Sequence, residues 1–204
     1  MITREAPPMT TTEITDPRPS YARALTWVRE LMAAVPADRL DDPTPCAEYD
    51  VRALLGHLVA TVGRARVIGE GGDPTTEPTV VTGVPDDGWA EAYAAATERM
   101  WPVYRADGVL DREVVAPWGR APARTAVWAY LNETLVHGWD LAVATGQPVE
   151  FPDPAVPEQV LAVVAPLVPA AVRGGPVPFA AVVASGPDAG PTERLAHWSG
   201  HARP

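Results

Sequence analysis

The chain has 204 residues and a formal net charge of −10, from 26 acidic against 16 basic side chains. That length suits one domain, or one with a small annex, and a composition 47% hydrophobic and 21% charged excludes wholesale disorder. The acidity excludes a nucleic-acid binder, which needs a basic stripe to displace counterions from phosphates, and adhesion to an anionic membrane.

No apolar run approaches the length of a membrane span, and the N-terminal stretch lacks the apolar segment of a secretory signal. With a single cysteine, Cys46, there is no internal disulfide framework. The expectation is a cytoplasmic protein, monomeric or homodimeric. Every basic residue other than histidine is arginine, so no side-chain amine is available for Schiff-base or lysine-base chemistry.

Residues 1–19 are rich in proline and threonine, lack periodicity and read as a disordered tail. From Tyr21 to Val35, Ala24, Leu25, Val28, Leu31, Met32 and Val35 recur at helical spacing, and Pro36 ends the helix. Asp50 suits the N-cap of a second helix marked by Val51, Leu54, Leu55, Leu58, Val59 and Val62. A turn-rich loop follows. Asp86 or Asp87 is then expected to cap a third helix through Trp89, Tyr93, Ala96, Met100 and Tyr104, with Pro102 kinking or ending it.

Residues 108–120 read as irregular, with an extended stretch at 113–115. Pro122 suits the first turn of a fourth helix and Gly146 its C-terminal cap, a rod about 35 Å long. Beyond it, shorter helices are expected at 160–168 and 192–199, and a strand at 177–183. The predicted organisation is a disordered tail (1–19), a helical bundle (20–147) and a small α+β C-terminal extension (148–204). Trp89, Trp101, Trp118 and Trp128 read as core or cavity wall.

The fourth helix is the informative one. No arginine occurs from Thr125 to Val172, and within this helix Glu133, His137 and Asp140 are the side chains expected to titrate near neutrality or below. A solvated helix face carries alternating charge, so this helix is expected to be buried on most sides. Val127, Trp128, Leu131, Leu135 and Trp139 share one face. Glu133 and His137, four residues apart, share another with Ala126, Tyr130, Leu141 and Ala144. Two polar groups among apolar ones must be satisfied by each other, by water or by an ion.

A third ligand from a second helix makes a metal site possible, and His57 stands beside the Leu54/Leu58 stripe with Gly56 permitting close approach of a neighbouring helix. Two imidazoles and a carboxylate suit Zn²⁺, and also Ni²⁺ or Fe²⁺, with positions left open. On spacing alone, an ordinary Glu133/His137 helix pair and a His57 bonded to a carbonyl in the core are the more common outcome. Asp140 is a candidate second acceptor that orients an imidazole or a surface charge. Arg120 and Arg124 can hold an anionic group or line a solvated loop. His197 and His201, also four apart, read as a surface pair, and Cys46 as a small buried hydrophobe.

The stretch TPCAEYDVRALLGHLV, followed later by NETLVHGWDLAVATGQPV, resembles the mycothiol-dependent maleylpyruvate isomerase N-terminal domain family of the DinB-like metal-binding superfamily. The terminal TERLAHWSGHARP resembles a small metal-binding branch of it, in which position 201 is expected to carry arginine rather than His201. The resemblance implies a mainly α, up-down four-helix bundle holding a divalent metal on the histidine of L-x-x-H and the Glu and His of E-x-x-x-H-G-W-D. These are His57, Glu133 and His137, with Tyr130, Asp140, Arg120 and Arg124 as candidates to contact thiol or substrate.

It further implies an enzyme that uses a metal-bound low-molecular-weight thiol, mycothiol or similar, for transfer, conjugation or isomerisation of a small electrophile. The alternatives are a non-catalytic metal-binding or stress-response protein, or a metal-dependent hydrolase without thiol. The short C-terminal extension sets the chain apart from the isomerase itself.

Overall fold

The computed structural model describes residues 16–116, 119–168, 173–174 and 179–203. Residues 1–15 of the expected tail and Trp118 lie outside the described residues. The first helix, α1 (Arg18–Ala33), starts earlier than the apolar pattern suggests, because Pro17 precedes its first turn and the Arg18 amide donates to Asp16 Oδ1 at 2.9 Å. Asp50 caps α2 (Val51–Glu70) as expected, accepting from the Ala53 amide at 2.8 Å.

Helix α3 (Trp89–Tyr104) departs from expectation at its start: Gly88 occupies the N-cap without a side-chain bond. Asp86, expected there, pairs with Arg52 of α2 instead. Pro102 sits in the last turn, where its missing N–H deprives the Glu98 carbonyl of its helical donor, and the helix ends two residues later.

A short antiparallel hairpin, β1 (Glu113–Ala116) with β2 (Gly119–Pro122), leads into α4 (Ala123–Thr145). Gly146 closes α4 in the left-handed conformation, φ 72°. Two shorter helices follow, α5 (Ala155–Val164) and α6 (Pro191–Ser199). The strand expected at 177–183 is absent over its described residues, 179–183. The Val183 amide does dock on α6, donating to His197 O at 2.9 Å.

Helices α1 and α2 each pack against both α3 and α4, so the order around the bundle is α1, α3, α2, α4. Helix α5 and helix α6 pack on α4 and on each other, and Val156, Val160, Val164, Leu195 and Ala196 join the core of the bundle. This makes α4 central. Its Val127, Trp128, Leu131, Leu135 and Trp139 are buried, and so are Ala126, Tyr130, Leu141 and Ala144 on another side, as the lack of charge predicts. Trp89 and Trp128 are core residues and Trp101 packs against the core from its edge. Among the described residues no helix is long and apolar enough to cross a membrane.

Gly56 differs in its partner. Its close neighbour is the loop before α3, not a helix: the Val81 amide donates to Gly56 O at 3.1 Å, and a Cβ on Gly56 would lie 2.3 Å from Val81 O. Alanine in place of glycine inside a helix usually gains about 0.5–1 kcal/mol, whereas overpacking costs about 1–3 kcal/mol. Val81 is held in place by the hydrogen bond of its own amide and its backbone cannot yield cheaply, so overpacking wins here. Gly56→Ala should lower the urea midpoint of unfolding, while Gly63→Ala, whose Cβ meets only the flexible end of Glu77 at 3.2 Å, should leave it equal or higher. An unchanged midpoint for Gly56→Ala would contradict this account.

Candidate metal centre

Adjacency of α2 and α4 brings three side chains together. Glu133 and His137 stand one turn apart on α4, and His57 faces them from α2. The Nε2 atoms of His57 and His137 each lie 3.3 Å from Glu133 Oε1. The two rings meet edge to face with centroids 4.8 Å apart. Both histidines are 7% exposed, whereas the Glu133 side chain is 37% exposed although its Oε1 meets both rings.

The remaining ring nitrogens set the chemistry. His57 Nδ1 lies 3.0 Å from the Thr79 carbonyl oxygen, which only accepts, so Nδ1 carries the hydrogen. His137 Nδ1 lies 2.9 Å from Asp140 Oδ2, a carboxylate that imposes the same tautomer. In neutral rings both Nε2 atoms therefore present lone pairs toward an ionised carboxylate. Three acceptors within 4.8 Å of one another need positive charge among them, supplied by protons on the rings or by a cation. Two imidazole nitrogens and one carboxylate oxygen, each ring held from behind, match the donor set and supporting contacts of a divalent metal site.

In the metal-free protein a proton on His137 supplies part of that charge. Burial opposes ionisation of Glu133, yet hydrogen bonds from His137 and His57, reinforced by their charge, hold its carboxyl well below the usual range. Burial likewise opposes charge on His137, but Asp140 and then Glu133 raise its pKa well above the ordinary value. For Asp140, burial is outweighed by hydrogen bonds from His137 and His201, and its pKa falls.

Around this centre the 43–50 loop forms a wall. Thr44 Oγ1 donates to Tyr49 O at 2.7 Å, and Tyr49 stacks on His57 with ring centroids 4.8 Å apart. Cys46, half-buried, belongs to a second group with His137, Asp140 and His201, whose ligand atoms also lie within 4.8 Å of one another. Burial pushes its thiol pKa up, against the opposing charge of His137.

The other sequence candidates are placed as follows. Asp140 is wholly buried behind His137. Tyr130 is buried one turn before Glu133, close enough that Glu133 charge helps raise its phenol pKa, after burial. Arg120 pairs with Glu113 at 2.8 Å and Arg124 with Asp111 at 2.8 Å. His197 contacts Ser185 Oγ at 3.0 Å, while His201 turns to Asp140, so the two do not act as the pair their spacing suggests.

Residue patterns do not mark Tyr49, Thr79 or the link from His201 to Asp140 as parts of this site. Nothing in the sequence marks Thr79, since its contribution is a main-chain carbonyl. Position 201 was visible only as a histidine near another. Arg64, two turns beyond His57, is unmarked as well; its Nη2 donates to Thr79 Oγ1 at 3.2 Å.

These shifts fix a pH dependence for the metal-free protein. Asp140 and Glu133 have folded pKa values below their ordinary 3.8 and 4.5, so their stabilisation is complete above those values and is lost as pH falls through the folded ones. His137 is raised above 6.5, so its share is complete below 6.5 and is lost as pH rises through the folded value. With chelator present, the contribution of this cluster to unfolding free energy should peak between pH 4.5 and 6.5. Asp140→Asn, which breaks a wholly buried pair, should cost about 3–5 kcal/mol there and flatten the alkaline decline. Urea unfolding across a pH series measures both.

A family profile described as Mycothiol maleylpyruvate isomerase N-terminal domain matches residues 21–142. Rv0738 of Mycobacterium tuberculosis, an uncharacterised protein, is 31% identical over 185 residues, covering 91% of this chain and 97% of its own. A second uncharacterised protein of that organism, Rv0036c, is 34% identical over 133 residues, 57% of this chain and 51% of its own. Among solved structures, the crystal structure of the mycothiol-dependent maleylpyruvate isomerase superposes with a TM-score of 0.57 at 16% identity, over 72% of this chain. The chain spans 66% of the length of that isomerase. At such identity the likeness shows the fold, a mainly α DinB-like bundle. The profile match spans the bundle from α1 to α4 and contains all three facing side chains, and the chain belongs to the mycothiol maleylpyruvate isomerase N-terminal domain family.

Proposed function

We propose that this chain is a divalent-metal-dependent enzyme that uses a metal-bound low-molecular-weight thiol, mycothiol or a close analogue, in transfer to, conjugation with or isomerisation of a small electrophile. The observation that carries it is the convergence of His57 Nε2, His137 Nε2 and Glu133 Oε1, with both Nδ1 atoms already engaged. These three residues would hold the metal. Zn²⁺ suits the set best, and Ni²⁺ or Fe²⁺ also fit. When bound there, a divalent cation supplies the charge that keeps a thiol deprotonated near neutral pH.

The chain's own residues supply the rest. Three protein ligands leave open positions, and the half-exposed Glu133 marks the side from which a thiol enters. Tyr49 shields the His57 ring. Asp140 holds the His137 proton on Nδ1 and is engaged by a second imidazole, which leaves it unsuited to the general-base role that hydrolysis by activated water requires. The mycothiol-dependent isomerase of the same fold supports the thiol reading, and the substrate of that enzyme is not carried over, because a likeness at 16% identity over 66% of its length extends to the fold alone.

Cobalt substitution tests the proposal. The metal-free chain should take up about one Co²⁺ with the visible bands of a nitrogen–oxygen site. His57→Ala, Glu133→Ala and His137→Ala should each weaken uptake by more than ~100-fold, beyond the loss typical of an outer-shell change. Adding mycothiol should bring in a sulfur-to-cobalt charge-transfer band. No cobalt uptake by the unmodified chain overturns the metal reading. Uptake with no spectral response to thiol overturns the thiol reading and favours a non-catalytic metal-binding protein or a hydrolase.

A further inference from the structure

A polar connection runs from the end of α6 to the triad. Gly200 follows α6 with φ 100°, a conformation that favours glycine, and the His201 amide donates to Ala196 O at 3.0 Å. The chain thereby turns back, and the His201 ring faces α4. Its Nδ1 lies 3.0 and 2.9 Å from the two carboxylate oxygens of Asp140. Asp140 Oδ2 is in turn 2.9 Å from His137 Nδ1.

Asp140 is 0% exposed. A carboxylate removed from water needs its lone pairs filled, and the hydrogen-bond partners of its side chain among the described residues are these two imidazoles.

The segment that delivers His201 is anchored independently of the triad. Leu195 and Ala196 are buried in the core. Glu150 caps the start of α6, accepting from the Thr192 amide at 2.9 Å and the Glu193 amide at 3.2 Å, where a negative charge meets the positive end of the helix dipole. Beyond His201, Arg203 lies over the Trp139 ring, 5.6 Å from its centroid, and pairs with Glu193 at 2.6 Å.

We propose that His201 is a positioning residue of the metal centre: by donating to Asp140 it holds that carboxylate on His137 Nδ1 and so keeps His137 Nε2 turned toward His57 and Glu133. The inference rests on the metal reading above. Without the His201 donor, one buried oxygen of Asp140 loses its partner, and the carboxylate is free to rotate toward other donors. His137 then loses the contact that fixes its tautomer, a change that typically weakens a metal site 10–100-fold. Cys46, which shares this corner, completes a set that can in principle ligate an ion itself. The short, paired contacts of Asp140 with both rings already account for that corner through hydrogen bonding.

The test is Co²⁺ affinity, read from visible absorbance in competition with a chelator, for the unmodified chain, His201→Ala, His201→Asn, Asp140→Asn and the double variant His201→Ala/Asp140→Asn. His201→Ala should bind Co²⁺ about 10-fold or more weakly. His201→Asn, whose amide N–H stands where Nδ1–H stood, should recover most of that loss. In the Asp140→Asn background, His201→Ala should cost little further, because its route of action is gone.

Ring ¹⁵N shifts of metal-free His137, read at a pH alkaline enough to neutralise the ring, should show the Nδ1–H tautomer in the unmodified chain and a mixture in His201→Ala. An unchanged affinity for His201→Ala overturns the proposal, even where its metal-free urea midpoint falls, since that pattern describes a folding role. So does a loss that persists undiminished in the Asp140→Asn background. If the unmodified chain binds no Co²⁺, the triad reading itself fails, an outcome distinct from a chain that binds while the variant is unaffected.

Discussion

Acceptor groups facing one another across α2 and α4 constitute the constraint on which the site depends. A carboxylate oxygen and two ring nitrogens at 3.3 Å repel unless a proton or a cation lies among them. The fold spends several features on keeping them there. A glycine lets a loop approach α2 closely and present a carbonyl to one ring, and a wholly buried aspartate grips the other. A helix that is buried on nearly every side keeps both α4 members in register. Each of these contacts also supports a charge that the three side chains cannot supply as neutral species.

The surrounding core explains why such a cluster can persist. Trp128, Trp139, Tyr21, Leu54 and Leu58 are almost entirely withdrawn from water, and the α4 backbone bearing Glu133 and His137 is clamped by α1, α2, α5 and α6. At Gly138, next to His137, the Trp27 ring comes so near that a Cβ would sit 2.4 Å from it. The residue following the ligand candidate thus has no freedom to shift. Strain from crowding like polar groups is met by a scaffold of native packing density, which yields little to local forces.

Much of this was readable from residue patterns alone, and the exceptions share a cause. The four long helices follow from 3.6-residue periodicity, and the caps at Asp50 and Gly146 from local chemistry that leaves a clear mark. The triad was legible because Glu133 and His137 are conspicuous in an apolar helix and because the family motif carries His57. The contributions that escaped notice come from main-chain atoms or from segments whose path is set by tertiary contacts. Thr79 acts through its carbonyl, and Gly56 serves a loop where a helix was expected. His201 is aimed by a left-handed glycine, so the helical spacing from His197 was misleading. The strand expected at 177–183 rested on β-branched residues that find a single main-chain bond to α6 where a ladder would be needed. The cap expected at Asp86 was lost to an ion pair with Arg52.

The two rings of the triad are supported by different partners, and that difference has an outcome of its own. His57 leans on a neutral carbonyl, whereas His137 leans on a fully buried anion. An anionic neighbour pushes electron density into an imidazole and strengthens its Nε2 as a base more than an amide oxygen does. The pair is therefore unequal: the Nε2 of residue 137 is the stronger electron-pair donor and that of residue 57 the weaker. The asymmetry follows the architecture, with the better donor on the buried α4 and the poorer one across from it on α2.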